Sequence, residues 1–247
     1  MVEEKTEGIE VLVSIPIPNL GSALTQQGSL TIPNDPKGII LFAHGSGSSW
    51  NSPRNRVVAR SLNKDGLATL LVDLLTAEEQ ESDTIVETRL NRIPGLILNK
   101  FNINLLTSRL VSITEWVTQN QSTKGLLIGY FGASTGAAAA LIASSTGSAS
   151  NLVTAIVSRS GRPDLVERNN LKQVTIPTLF ILGGNDYPEV INWNKSALQD
   201  IGSQKKKAVI VPNATHLFAE SGTLEEVGRL ASGWFRCFFQ IRGYESS

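Results

Sequence analysis

Five residues near the middle of the chain, Gly132-Ala133-Ser134-Thr135-Gly136, have the types and spacing of a turn that presents a serine hydroxyl as a nucleophile. An apolar run before it (Leu126, Leu127, Ile128) reads as a short buried strand, and the alanine-rich stretch 137–143 after it reads as a helix. Strand, Gly-x-Ser-x-Gly and helix together make a nucleophile elbow, in which a strained turn holds the serine out at the strand's end. The glycines meet a physical need, because neighbouring chain passes too close for a Cβ on either flank. The pentapeptide alone also fits a glycine-rich turn that carries a serine by accident, so the other reactive residues have to decide.

A serine hydroxyl is a weak nucleophile and needs a general base, as a rule a histidine held in one tautomer by a carboxylate. The chain has two histidines, His44 and His216. Carboxylates between the elbow and His216 include Asp164, Asp186 and Glu189. The single cysteine, Cys237, lies in another segment, and no metal-ligand cluster can be assembled from two histidines and one cysteine. No cofactor is implied.

The elements that must position these residues follow from the pattern. Residues 9–17 alternate apolar and polar (Ile9, Val11, Val13, Ile15, Ile17) and predict a half-buried strand, placed on a sheet edge by Pro16 and Pro18. Residues 20–24 and 30–32 suggest a second short strand or a hairpin. The continuously apolar stretches 38–43 and 68–75 predict strands buried on both faces. Between them lie a small-residue loop, His44-Gly45-Ser46-Gly47-Ser48-Ser49, and a helix with Ser52 at its N-cap, Pro53 at N1 and Val57, Val58 and Leu62 on one face. Residues 76–100 are acidic, then mixed in charge, and broken by Pro94-Gly95. They predict an excursion beside the sheet, partly helical, for which a solvated surface segment outweighs a lid. Leu106, Leu110, Ile113 and Val117 predict a helix over 104–118. Short strands follow at 155–158, 178–182 and 208–211, with a helix from Pro188 through Val190, Asn194 and Ala197. The last helix starts at Thr223 with capping-box spacing to Glu226. Its apolar face is Val227, Leu230, Trp234 and Phe238, and Cys237 is a buried small side chain within it. Strands alternating with helices imply one α/β domain over 1–247, with a mainly parallel sheet of about seven to eight strands and helices on both faces.

Position then sorts the reactive residues. In an open α/β sheet, sites form beyond the carboxyl ends of the strands. His44 and His216 both satisfy that, but the chain order that accompanies an elbow is serine, acid, histidine, which makes His216 the base. Asp186, after Leu182-Gly183-Gly184-Asn185, is the preferred acid, with Asp164 and Glu189 as rivals. The oxyanion hole draws one N–H from Thr135, the residue after the nucleophile, and a second from the loop after the third strand, at Ser46 or Gly47. His44 is left as a structural residue pinning that loop, and the helix that begins at the elbow turns its positive end toward the same oxygen.

At these residues the chain resembles the α/β-hydrolases, and more narrowly the dienelactone hydrolase family and its relatives. The resemblance runs from about Lys37 to Phe239 and rests on LFAHGSGSS with SPRNR, FGASTGAAAAL, SRSGRPD, ILGGND and ATHLF. It implies an α/β-hydrolase fold with Ser134 as nucleophile, Asp186 as acid and His216 as base. Dienelactone hydrolases proper carry cysteine where this chain has Ser134, so the resemblance points to the serine-esterase relatives and to a small-molecule ester or lactone as substrate. Arg159 could hold a substrate carboxylate over the pocket, although an ion pair with Asp164 or Glu167 is the weightier alternative.

Other classes fit less well. The Gly-rich turn resembles that of short-chain dehydrogenases, but it lies past the chain's midpoint, completes no G-x-G-x-x-G, and has no Tyr-x-x-x-Lys partner. A receptor-like protein that keeps the triad without turnover, and an acyltransferase using the same residues, are the remaining alternatives. Lys+Arg and Asp+Glu both number 22, which leaves no electrostatic footprint for nucleic acid or an anionic membrane. One cysteine, an acidic start without an apolar core, and no apolar run near the ~18 residues of a membrane span together predict a cytoplasmic protein. Nothing in the pattern sets an oligomeric state.

Overall fold

The structure, a computed structural model, describes residues 8–17, 24–89, 96–145 and 147–245. The acidic start, Pro18, residues 20–23 and Pro94-Gly95 lie outside them. Eight strands form one sheet: β1 (Ile9–Ile17), β2 (Leu24–Ile32), β3 (Ile39–Ala43), β4 (Ala68–Val72), β5 (Ile128–Ala133), β6 (Val153–Arg159), β7 (Thr178–Gly183) and β8 (Lys206–Val211), in the order β1-β2-β4-β3-β5-β6-β7-β8. β1 and β2 form an antiparallel hairpin, with Ile17 opposite Leu24, and β2 lies antiparallel to β4; β4, β3, β5, β6, β7 and β8 run parallel.

The pattern of β3 explains the layering. Every residue of this strand is buried; Ile39, Leu41 and Ala43 face one core, and Ile40 and Phe42 the other. The first core packs under α3 (Ile103–Gln119), α4 (Thr135–Ser145), α5 (Arg168–Gln173) and α6 (Pro188–Asp200). The second packs under α1 (Pro53–Lys64) and α7 (Thr223–Glu245). Burying both faces removes water from two sets of branched side chains at once, each worth roughly 1.5–3 kcal/mol. From β3 the chain moves outward to β4, then returns to the other side of β3 for β5, and from there runs on to β6, β7 and β8. The carboxyl ends of β3 and β5 therefore bound a topological switch point, where α/β sheets leave a crevice.

Several predicted elements shift. The edge strand is buried only from its middle onward: Ile15 and Ile17 are buried, whereas Ile9 and Val11 are exposed. β4 ends at Val72, because the chain turns away there so that Leu74 can donate its N–H to His44. Ser52 stands at the N-cap of α1 without a side-chain capping bond. In α7 the buried line is Val227, Ala231, Phe235 and Phe239, one residue round from the predicted face, with Leu230, Trp234 and Phe238 half-buried beside it. Gly129 and Gly38 make room for it, since a Cβ there would sit 2.6 Å from Phe235 and 2.3 Å from Phe239 respectively. That rotation turns Cys237 out to solvent, so it is exposed rather than buried. The expected capping box at Thr223 and Glu226 does not form: Thr223 donates its hydroxyl to Glu220 O, and Glu226 pairs with Arg229.

A capping box forms instead at the start of the 76–100 excursion. Thr76 Oγ1 accepts the Glu79 N–H, and Glu79 accepts the Thr76 N–H at 2.8 Å, opening α2 (Ala77–Arg89). This segment is tied down more firmly than a solvated surface run. Glu79 pairs with Arg109 of α3, and the buried Asp83 accepts both the Asn99 and Lys100 N–H groups, at 2.8 and 2.9 Å. Removing that carboxylate leaves two partly buried donors unmatched, at about 1–3 kcal/mol. Asp83→Ala is expected to lower the unfolding free energy from urea melts by that order and to speed hydrogen exchange at the Asn99 and Lys100 amides; unchanged exchange at both would contradict the assignment.

Candidate active site

Ser134 follows the last residue of β5 and precedes the first of α4, with a left-handed backbone, φ +49°. Such a φ costs a non-glycine residue of order 1–3 kcal/mol and persists only where the surroundings over-determine it. Here they do. The Ser134 N–H donates to Arg159 O at 3.2 Å, and its carbonyl accepts the N–H groups of Ala137 and Arg162, both at 3.1 Å. The flanking glycines are required by close approach: a Cβ on Gly132 would lie 2.5 Å from Ala137 Cα, and one on Gly136 2.0 Å from Ala43 O. The elbow read from the pentapeptide is thus present in form.

Asp186 and His216 meet beyond the ends of β7 and β8. His216 Nδ1 lies 2.8 Å from Asp186 Oδ1. Burial by itself raises the Asp186 carboxyl, but hydrogen bonds from His216, Ser160 and the Tyr187 N–H outweigh it and hold the group below its ordinary value. An ionised Asp186 can only accept, so the His216 proton sits on Nδ1 and the lone pair on Nε2. Among the described residues, His216 makes no hydrogen bond to the Ser134 hydroxyl. Asp164, the rival acid, is taken by Arg162 through two bonds at 2.8 and 2.7 Å.

His44 serves the loop after β3. Its ring bonds Gly45 O through Nδ1 at 3.0 Å, and Nε2 accepts the Leu74 N–H at 3.1 Å. Burial lowers its pKa, so it stays neutral in that role. Asp73 anchors the far end of the same loop by accepting the Trp50 N–H at 2.8 Å. Thr135 and Ser46 are brought together: the Ser46 N–H donates to Thr135 Oγ1 at 3.0 Å. Beside them opens a cavity of about 440 Å³, bordered by Ser46, Arg54, Leu75, Gln80, Lys100 and Thr135 among others, so Gln80, Asp83, Thr84 and Lys100 of the excursion supply one wall.

Arg159 does not form the ion pair expected of it. It is buried with Nη1 unpaired, sits 6.0 Å from the Phe131 ring centroid and 5.8 Å from that of Phe218, and has no carboxylate partner among the described residues. Burial, with repulsion from Arg54, brings its pKa down to about 10. Arg54 likewise keeps a buried, unpaired Nε.

Two supporting residues carried no sequence signal. Ser160, with φ +41°, donates its hydroxyl to Asp186 Oδ2, and the exposed Tyr187 ring lies 5.7 Å from the His216 ring. A serine after a strand and a tyrosine before a proline are common, and only the folded loops bring them to the acid and the histidine.

Strand order, the elbow at the end of β5, and an Asp–His pair at the ends of β7 and β8 define an α/β-hydrolase fold. No family model matches the chain. A dienelactone hydrolase of Anabaena variabilis is 47% identical in sequence, with TM-score 0.82 over 94% of this chain and 99% of that one. The chain therefore belongs to the dienelactone hydrolase-like family of α/β-hydrolases. The esterase domain of a Rhodothermus marinus protein shares the fold at 16% identity and TM-score 0.68, covering 94% of this chain and 99% of that one. Two Mycobacterium tuberculosis proteins bearing the provisional name phosphoribosyl transferase are 49% identical over 208 residues, 84% of this chain and 43% of their own length. The chain thus spans less than half of those curated relatives. No helix among the described residues is long and apolar enough to cross a membrane.

The depressed Asp186 carboxyl has a consequence for acid stability. A carboxylate that binds its proton less tightly folded than unfolded contributes stability above the unfolded value of roughly 3.9, and loses it as pH falls through the folded one. Urea melts are therefore expected to show wild type losing stability below about pH 4 more steeply than Asp186→Asn. Parallel acid limbs would contradict the pairing.

Proposed function

We propose that the protein is a serine hydrolase acting on a carboxylic ester or lactone. The observation that carries this reading is the Asp186–His216 hydrogen bond at 2.8 Å, on the same sheet edge as the strained Ser134. His216 Nε2 takes the Ser134 proton as Oγ attacks the substrate carbonyl, and Asp186 stabilises the imidazolium that results. The oxyanion is held at the start of α4, by the Thr135 N–H, and by the loop that carries Ser46. His216 then returns the proton to the leaving alcohol, and water, activated by the same base, releases the acyl group from Ser134. The names of the Anabaena and Rhodothermus proteins support hydrolysis as the reaction class. Phosphoribosyl transfer is named for proteins of which this chain matches 43%, and no feature of this site favours it.

Arg159 has a place in this scheme. Arg159 Nη1 is buried with no hydrogen-bond partner among the described residues, and an anion reaching it would supply one. We assign it to an anionic group on the substrate, with residues 76–100 acting as a lid-like wall of the neighbouring cavity.

Turnover of p-nitrophenyl acetate tests the triad. Ser134→Ala is expected to lose roughly 10⁴–10⁶ in kcat, and Asp186→Asn roughly 10⁴. Asp164→Asn should stay within a few-fold of wild type; a larger loss there than in Asp186→Asn would move the acid to Asp164. For Arg159, a carboxylated ester and its neutral amide analogue are compared in Arg159→Gln. KM for the anionic ester should rise about ten-fold, in line with one charge-assisted hydrogen bond, and KM for the neutral one should hold. Equal rises in both would remove Arg159 from substrate binding.

A further inference from the structure

The Ser46 N–H, one of the two main-chain groups at the oxyanion loop, is engaged in the resting protein, because it donates to Thr135 Oγ1 at 3.0 Å. Thr135 is 1% exposed, opens α4 and borders the cavity. A threonine hydroxyl has one proton to give and two lone pairs. One lone pair here holds the Ser46 N–H, while the proton reaches no acceptor among the described residues. Helical threonines usually give that proton to a carbonyl one turn back, as Thr114 does to Leu110 O and Thr84 to Gln80 O. For Thr135 the residues three and four back are Gly132 and Phe131, which lie in β5 across the elbow turn, where no helical carbonyl points along the axis. The result is a buried hydroxyl on a residue that borders the cavity, lacking an acceptor among the described residues and backed by an amide that polarises it.

From this we propose that the Thr135 side chain is itself an oxyanion donor. Its hydroxyl donates a hydrogen bond to the oxygen of the tetrahedral intermediate beside the Thr135 N–H, while the Ser46 N–H fixes and polarises that hydroxyl from behind. The inference rests on Ser134 being the nucleophile. As Ser134 Oγ bonds the carbonyl carbon, its proton passes to His216 Nε2. The carbonyl π pair moves onto oxygen, where the Thr135 hydroxyl and N–H receive it. On collapse the C–O bond to the leaving group breaks, and the alkoxide takes the proton back from His216. Ser46 is then a positioning residue acting through Thr135. The Ser46 N–H hydrogen bond and the Thr135 methyl together hold the hydroxyl in one rotamer, which an oxyanion donor needs.

Thr135→Val, which keeps the shape and removes the hydroxyl, and Thr135→Ser, which keeps the hydroxyl, separate the possibilities. Thr135→Val is expected to lower kcat on p-nitrophenyl acetate about 10²-fold with KM nearly unchanged, whereas Thr135→Ser stays within about five-fold of wild type. A trifluoromethyl ketone, which forms a tetrahedral adduct with an active serine, should bind Thr135→Val about 10²-fold more weakly. A purely structural hydroxyl would not single out that adduct. Circular dichroism melts check folding, and Thr135→Ala replaces the valine variant if its methyl disturbs the loop. Unchanged or raised kcat in the hydroxyl-free variants, with Ser134→Ala inactive, would overturn the donor role and leave the nucleophile standing. A loss that falls equally on KM, with ketone binding intact, would also overturn it. Turnover retained by Ser134→Ala would instead remove the nucleophile on which the inference rests.

Discussion

The carboxyl edge of the sheet depends on one close approach, that of the first turn of α4 to the ends of β3 and β5. It is possible because Gly132 and Gly136 lack side chains; a Cβ on the second would stand 2.0 Å from the Ala43 carbonyl oxygen. With the helix drawn in this far, Ser134 has no room for an ordinary backbone conformation and takes φ +49°. The strain is offset by three main-chain hydrogen bonds to Arg159, Ala137 and Arg162, and by the packing of a helix whose alanines are almost wholly buried. The positive end of α4 and Thr135, its first residue, are set beside the ends of β3 and β5 by the same contact. Loosening it would disturb Ser134 and Thr135 together.

Charge around this edge is arranged unevenly. Asp186 shares its carboxylate among His216, Ser160 and the Tyr187 N–H, which keeps it ionised despite burial. His44 is treated in the opposite way, held neutral by burial and bonded at both ring nitrogens, to Gly45 O and the Leu74 N–H. Arg159 receives neither treatment. It keeps its charge against two phenylalanine faces and next to Arg54, with no counter-ion among the described residues. Aromatic faces return only part of what desolvation costs a guanidinium. An anionic substrate group would supply the rest, and this is the physical basis for assigning Arg159 a binding role.

The segment 76–100 shows how few bonds turn an exposed run into a wall. Its helix is mostly solvated, as its composition demands, yet the Thr76–Glu79 box, the Glu79–Arg109 pair and the Asp83 carboxylate hold it against α3 and the turn at Asn99–Phe101. The cavity beside Thr135 takes Gln80, Asp83, Thr84 and Lys100 from it.

Much of the architecture was legible in the residues because local pattern and global position agree. Continuous apolar runs became the central parallel strands, the Gly-x-Ser-x-Gly turn became the elbow, and chain order placed Asp186 and His216 at neighbouring strand ends. Propensity and spacing suffice for these, since they are set within a few residues of the chain. What spacing could not settle was decided by contacts across long sequence separations. The room left by Gly129 and Gly38 rotated the buried face of α7 and turned Cys237 outward. Arg162, two residues from Asp164, claimed the rival acid and left Arg159 without a carboxylate among the described residues. Ser160 came to the acid, and the Thr135 hydroxyl to the Ser46 N–H, across 26 and 89 residues of chain. By itself the sequence determined the fold class and the candidate nucleophile, acid and base. Only the tertiary structure decided which charges are paired and which residues border the cavity, because those depend on the distances between separate strand ends.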